Sequence, residues 1–545
     1  MIPAFPFPAG PARRRVGGGW GWAARVVRLG VAWVLVPGTL AAQTMSEPLV
    51  PRGRVRLDFA PSVSSWDARY GIGSDGAEVE EPLGTDLTDS RAVGLFPGIS
   101  SLEETLRSLS GDASFEARVG STVGRLTQEV TRLDFGLRIG VFDWLTVGAT
   151  LPYVRGRSTL DFAFRPDSAA NLGLNPASSG EGVSALLTGL GEAAVAADEH
   201  AQAACAGGST TTCAAATALA QRADAFWRGM FGAYLATPFF PLGGSAVASK
   251  LQQALSTLNG DLAAAGIAGV AAPLVFASEA LDEAAFRALP AGASAGIGMT
   301  PLQSYPGIWQ MGDVEVNATV RLLEGEVRDS GAVSPRLAWA LHGGFLVRLP
   351  TGVLDDPDVV LDLASGDGQQ DLEGRLDAGL RAGSHLALSG SFRYGTQAAV
   401  DILRRVAPHE ALLPQASSLR AVRWTPGAYT HLELSPRIHL GEALALAADY
   451  RRFHKAEDAY ELLGEETQGG LPADPALLAR ESEITLTEVA VGLRYSSVGL
   501  FRRREVGTPV EVGLRWVLPL SGGGGRTPKA NRVELSLSLF RRIWG

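Results

Sequence analysis

LDFGLRIGVFDWLTVGATLPY, residues 133–153, is apolar at every second position. Leu133, Phe135, Leu137, Ile139 and Val141 alternate with Asp134, Gly136, Arg138 and Gly140. After Phe142-Asp143-Trp144 the pattern returns as Leu145, Val147, Ala149, Leu151 and Tyr153. A period of two marks extended chain, and a tight break between two such runs reads as an antiparallel hairpin. One face of this hairpin is greasy and the other is charged or small.

The same alternation recurs outward from that hairpin. It starts at Val55, Leu57 and Phe59, resumes at Val314 and Leu337, and forms further hairpins at Leu372/Leu386, Thr430/Leu444 and Thr487/Val510 before a last run at Val533. About twelve strands result, most of them ~10 residues or longer, the length a tilted strand needs to cross a bilayer. Trp144, Tyr153, Tyr394, Tyr450, Tyr495, Trp516 and Trp544 stand near strand ends, where interfacial aromatics belong. Short and long connections alternate, as expected of short periplasmic turns and long outer loops. The predicted fold is all-β: a transmembrane antiparallel β-barrel of about 12 strands over residues 53–545, in the cell outer membrane, with a lipid bilayer and the outer-membrane assembly machinery as its partners. A monomer is expected.

Residues 1–42 read as a signal peptide. Arg13, Arg14 and Arg15 form a basic segment, Val26 to Leu40 is mostly apolar, and Ala41-Ala42 precedes Gln43 as a cleavage site. Net charge is −9 over the 545 residues and no basic cluster stands out, which argues against a nucleic-acid partner.

Residues 165–311 break the pattern. They are rich in Ala, Gly, Ser and Thr, and Leu219, Ala223, Phe226, Met230, Tyr234 recur at helical spacing, as do Leu251, Leu255, Leu258 and Leu281, Ala285, Leu289. An Ala-rich helical insertion in the second outer loop is predicted, outside the barrel or plugging it. Cys205 and Cys213 are the two cysteines of the chain, close enough to form a loop-local disulfide in an exported protein.

The inward positions carry mixed charge. Asp134-x-Gly136-x-Arg138, Asp377-x-Gly379-x-Arg381 and Glu511-x-Gly513-x-Arg515 repeat one unit, and Gly492-x-Arg494 shares its core. Residues two apart on a strand share a face, so acid, glycine and arginine all line the lumen. Arg138, Arg321, Arg381, Arg437 and Arg494 are predicted to lie at one level near the periplasmic mouth. Asp134, Asp377 and Glu433 are the carboxylates expected to neutralise them. A salt-bridge lattice is the expected role, and an anion-attracting ring is the alternative.

P-loop and His-Glu-x-x-His motifs are absent, and catalysis is not expected. His342, His431 and His439 read as polar lining. Asp355, Asp356, Asp358, Asp362, Asp367 and Asp371 lack the spacing of a calcium loop. No metal and no cofactor is expected.

Leu349-Pro350-Thr351-Gly352, Ser365-Gly366-Asp367-Gly368-Gln369-Gln370-Asp371, Phe392-Arg393-Tyr394-Gly395 and the hairpin LRIGVFDWLTVGATLPYV together resemble the outer-membrane family associated with meta-pathway phenol degradation. More distantly, the chain is similar to the long-chain fatty-acid transporter superfamily. The resemblance covers residues 126–165 and 312–545 and implies passage of hydrophobic or aromatic small molecules. The expected function is an outer-membrane channel or facilitated transporter with a small-molecule solute. The rivals are a non-transporting scaffold or adhesion barrel working through its outer loops, and a lipid-modifying enzyme.

Overall fold

A computed structural model describes residues 48–544 except 74–75, 97, 180–181, 293–295, 329–335, 408–410, 465–466 and 469–470. The expected signal peptide lies outside the described residues. Twelve strands form the wall: β1 Arg54–Trp66, β2 Gly120–Phe142, β3 Leu145–Pro166, β4 Val314–Val327, β5 Leu337–Leu349, β6 Asp371–Ala382, β7 Leu386–Gln397, β8 Tyr429–His439, β9 Leu444–Lys455, β10 Ile484–Ser496, β11 Val510–Gly523 and β12 Asn531–Arg542. Each pairs antiparallel with its chain neighbours, and β12 pairs with β1 from Arg54↔Arg542 to Ser65↔Asn531, which closes the barrel. Closure leaves no open sheet edge, which a lipid-embedded backbone cannot tolerate.

Strand parity sorts the side chains. Leu57, Phe135, Leu376, Phe392, Leu434, Val491 and Leu514 are exposed on the outer face. Their strand neighbours Arg56, Asp134, Asp377, Arg393, Glu433 and Arg515 are buried inside. Exposed leucines beside buried arginines invert the soluble pattern and fit a barrel whose solvent is hydrocarbon. Trp144, Tyr153, Tyr394, Tyr495 and Trp516 are exposed on the same outer face. No helix among the described residues is long and apolar enough to cross a membrane. This is an outer-membrane β-barrel that crosses with strands.

The five longest connections lie on one side: loop 1 (67–119), loop 2 (167–313), loop 3 (350–370), loop 4 (398–428) and loop 5 (456–483). On the other side, residues 143–144, 383–385 and 440–443 are tight turns. β2 and β3 are 23 and 22 residues long. They run far beyond a bilayer's thickness, which the alternation pattern had not suggested. Their outer halves stand beyond the lipid, so the outward positions there carry no apolar period; on the inward face Leu160, Phe162 and Phe164 of β3 alternate and pack under protein.

Against those outer halves sits a helical cap. Loop 2 supplies α2 Val183–Ala206, α3 Thr210–Ala236, α4 Ala246–Ala264 and α5 Glu283–Ala288, and loop 1 supplies α1 Ile99–Ser110. Leu102 and Leu106 of α1 share one apolar core with Leu219, Phe226 and Met230 of α3 and Leu251, Leu255 of α4. The spacing that predicted α3 and α4 marks their buried faces, whereas Ala285 of α5 is exposed and Phe286 is the buried residue. Phe286 stacks on Phe162 and Phe164 of β3, at 5.9 and 4.6 Å between centroids. Cys205 and Cys213 are disulfide-bonded across the α2–α3 turn.

Candidate functional site

The lumen holds three layers. The middle one is a lattice of buried charge. Arg451 (β9) reaches Glu433 of β8 at 3.5 Å and Glu534 of β12 at 3.1 Å. Arg515 (β11) bonds Asp449 at 2.9 Å, Glu534 at 3.2 Å and Glu433 at 3.5 Å. Arg532 (β12) bonds Glu534 at 2.7 Å and Glu488 of β10 at 3.1 Å. Across the barrel, Arg132 pairs with Asp134 at 2.7 Å and Arg348 with Glu315 at 3.3 Å and with Asp371. Asp58 lies 3.1 Å from Arg56, 3.5 Å from Arg138, and accepts from Ser538. Burying so many ions is tolerable only because each is paired, and breaking a buried pair is costly. The space left beside Asp58, Asp134 and Glu315 is about 40 Å³.

Above the lattice, at the outer mouth, two apolar patches face inward. Trp66, Val130 and Val154, on β1 to β3, pack with Leu363 of loop 3. Tyr429, Phe453, Ile484 and Leu486, on β8 to β10, form the second with Tyr70 of loop 1 partly buried against it. β2 and β8 are six strands apart in a ring of twelve, so the patches oppose each other. Glycine makes room in both: a Cβ on Gly156 would stand 2.4 Å from Leu363, and one on Gly395 would stand 2.1 Å from the Tyr429 ring. The Tyr429 hydroxyl donates to Glu373 at 3.0 Å, tying this collar to the lattice below.

Loop 3 folds into that mouth. Ser158 donates to the Leu361 carbonyl at 2.8 Å. Asp313 accepts from the Gly352 and Asp367 amides at 2.8 and 3.2 Å. Asp367 accepts from Gln397 at 2.8 Å, while Asp355 and Asp358 take Arg404 and Arg405 of loop 4 at 2.9 and 2.6 Å. The acidic loop is therefore occupied with its own fixation. Burial, with Asp371 and Asp313 nearby, pushes the Asp367 carboxyl up to about 7. Burial lifts Asp355 to about 6 against the opposing pull of Arg404.

Below the lattice the inward positions shrink to Ala338, Ala340, Gly379, Ala387, Ala445, Ala447, Gly492 and Gly513. Into this vestibule reach three of the predicted arginines. Arg381 is exposed and has no ion-pair partner among the described residues. Arg437 donates to Ser389 at 2.8 Å, and Arg494 pairs with Glu511 at 2.5 Å. Arg381 and Arg437 both stand opposite Ala387, whereas Arg437 faces Ala447 and Arg494 faces Ala445.

The other two predicted arginines part company with these. Arg138 is buried beside Arg56, and Arg321 pairs at the rim with Glu324 at 2.6 Å, next to a register shift in β4–β5. The expected neutralising partners also need correction. Asp134 and Asp377 take Arg132 and Arg375, two residues before them, and not the arginines four residues after. Glu433 reaches across to Arg451 and Arg515, not to Arg437. An arginine two residues before its acid lies adjacent on the same face, and longer reach lets ions pair across strands; a repeated motif within one strand reveals neither.

Sequence reading missed Arg56, Arg132, Arg348, Arg393, Arg451, Arg532, Glu315, Asp449 and Glu534, all of them buried or nearly so. Strand parity alone would have found them, since each occupies an inward position. His342 and His431 are buried on the inner wall, in register with Asp377 and Arg393 respectively, and His439 is half-buried near the vestibule.

No family model matches the chain, and no curated protein matches it either. The meta-pathway resemblance thus rests on its motifs alone. Among solved structures, the chain is similar to the COG4313 outer membrane channel from Pseudomonas putida F1, at 10% identity and TM-score 0.40, covering 90% of this chain and 97% of that one. It is similar to the CymD monoaromatic hydrocarbon channel at 9% identity and TM-score 0.26, covering 96% and 100%. The P. putida toluene transporter TodX follows at 10% identity and TM-score 0.25, covering 91% of each chain.

Proposed function

We propose that this barrel is a narrow outer-membrane channel for small molecules with an apolar or aromatic body and an anionic group. The observation that carries the reading is the stacking of layers. An apolar collar of Trp66, Val154, Tyr429 and Phe453 sits at the outer mouth, and a vestibule lined by alanine and glycine holds Arg381, Arg437 and Arg494, of which Arg494 alone pairs with a carboxylate among the described residues, that of Glu511. A ring-shaped body is favoured by the first and a negative charge by the second. The lattice and loop 3 close the path in this state, so passage requires loop 3 to leave the collar and the side chains of the lattice below it to swing aside.

The test is flux into proteoliposomes of benzoate, benzyl alcohol and benzylammonium. Benzoate should enter fastest. Equal rates for all three would refute the anionic part, and no flux of any would refute the channel. The closed lattice equally favours a second reading, a scaffold that displays the cap, and the absence of flux with loop 3 removed would select it.

A further inference from the structure

The cap carries an apolar groove that its own core does not use. α2 and α3 bury one face against α1, α4 and the barrel, through Leu186, Leu190, Phe226 and Met230. A second apolar face remains on the same helices: Val195 and Leu235 are 61% and 63% exposed, and Phe231 is 46% exposed. A helix in water ordinarily fills that face with polar residues, so a concave apolar strip marks a binding site. The groove holds about 900 Å³ and is walled by Leu187, Val195, Trp227, Phe231 and Leu235. That is the capacity of a single small molecule. The disulfide at the far end of the helix pair fixes its geometry.

Its charges all have one sign. Glu192 and Glu199 line the rim and no lysine or arginine does. Neither glutamate has an ion-pair partner among the described residues, and seven residues of helix place them about 10 Å apart along one side of α2. The nearby Arg228 is turned to Asp224 at 2.8 Å. Tyr234 donates its hydroxyl to the Val275 carbonyl at 2.7 Å and stacks on Phe240, so it offers the groove a fixed wall. Trp227 and Phe231 add ring faces that attract a cation.

We propose that this groove binds a cationic amphiphilic small molecule, its apolar body between α2 and α3 and its ammonium at Glu192 and Glu199. The site is independent of permeation through the barrel.

Titration calorimetry of the full chain in lipid nanodiscs tests it, with hexyltrimethylammonium, hexanol and hexanoate as probes and empty nanodiscs as the blank. The ammonium should bind at least tenfold more tightly than hexanol, and hexanoate most weakly. The double variant Glu192→Gln, Glu199→Gln should lose the preference while still binding hexanol. Val195→Trp should fill the groove and abolish both, with helix content by circular dichroism unchanged in either variant. Absence of binding, preference for hexanoate, or affinities unmoved by both variants would overturn the proposal. So would a dimer in sedimentation that Val195→Asp dissociates, because the face would then belong to a second copy.

Discussion

Arg451 on β9 and Glu534 on β12 lie 3.1 Å apart although their strands are three places apart in the wall. Such a pair is a chord through the lumen and not a rung between neighbours. Glu534 also holds Arg515 and Arg532, so one carboxylate gathers guanidiniums from three strands. Glu534→Gln should cost about 3–5 kcal/mol, because it leaves buried guanidiniums short of countercharge. Glu324→Gln, which breaks the exposed rim pair with Arg321, should cost at most about 1 kcal/mol. Urea unfolding in lipid vesicles compares the two, and equal effects would mean that the lattice is well hydrated.

The outer face makes an opposite demand. Leu376 and Val491 are exposed among strands whose inward neighbours are charged. Leu376→Arg and Val491→Arg should each destabilise the barrel by about 2–4 kcal/mol if they sit near the bilayer midplane. Refolding into vesicles reads this directly; unchanged stability in both would place these positions outside the hydrocarbon.

The predicted arginine ring splits into two classes. Arg381 is exposed without an ion partner among the described residues, so Arg381→Gln should shift the reversal potential toward cations and leave stability within about 0.5 kcal/mol. Arg494 holds Glu511, so Arg494→Gln should weaken the barrel as well. The paired assays, reversal potential and unfolding, should move differently for the two variants.

Loop 3 should respond to pH. The Asp367 carboxyl, normally near 3.8, titrates near 7 in the folded loop because it is buried beside other acids. The folded loop thus keeps a proton that the unfolded loop releases near pH 4. The stability this gives is complete below that value and is lost as pH rises through 7. Conductance should therefore be higher at pH 8 than at pH 5, and Asp367→Asn should hold it at the low-pH level.

Period-two alternation made the twelve membrane crossings legible, because lipid dictates the outward residue at every second position. It did not mark residues 120–132 or 155–166 as wall: in the second segment Leu160, Phe162 and Phe164 do alternate, but on the inward face, where the cap and not lipid dictates them. Helical spacing located α3 and α4 by their buried residues. It gave no sign that α1, in another loop, completes their core, since partnership between distant segments leaves no local period. At the lumen, the Asp134 and Asp377 units drew attention to the right face but to the wrong partners. Which acid meets which arginine depends on cross-lumen reach, as Glu433 to Arg515 illustrates. The collar was not foreseen because Leu363 comes from a loop and Trp66 from a strand end.

The channel reading is tested most directly by single-channel conductance of the full chain in planar bilayers, measured beside a variant lacking residues 354–364 of loop 3. The full chain should show rare, small openings that favour anions, and the variant should show frequent ones of the same selectivity. Silence from both, in bilayers where unfolding assays show each barrel intact, would contradict the channel and leave the barrel as a scaffold for its cap.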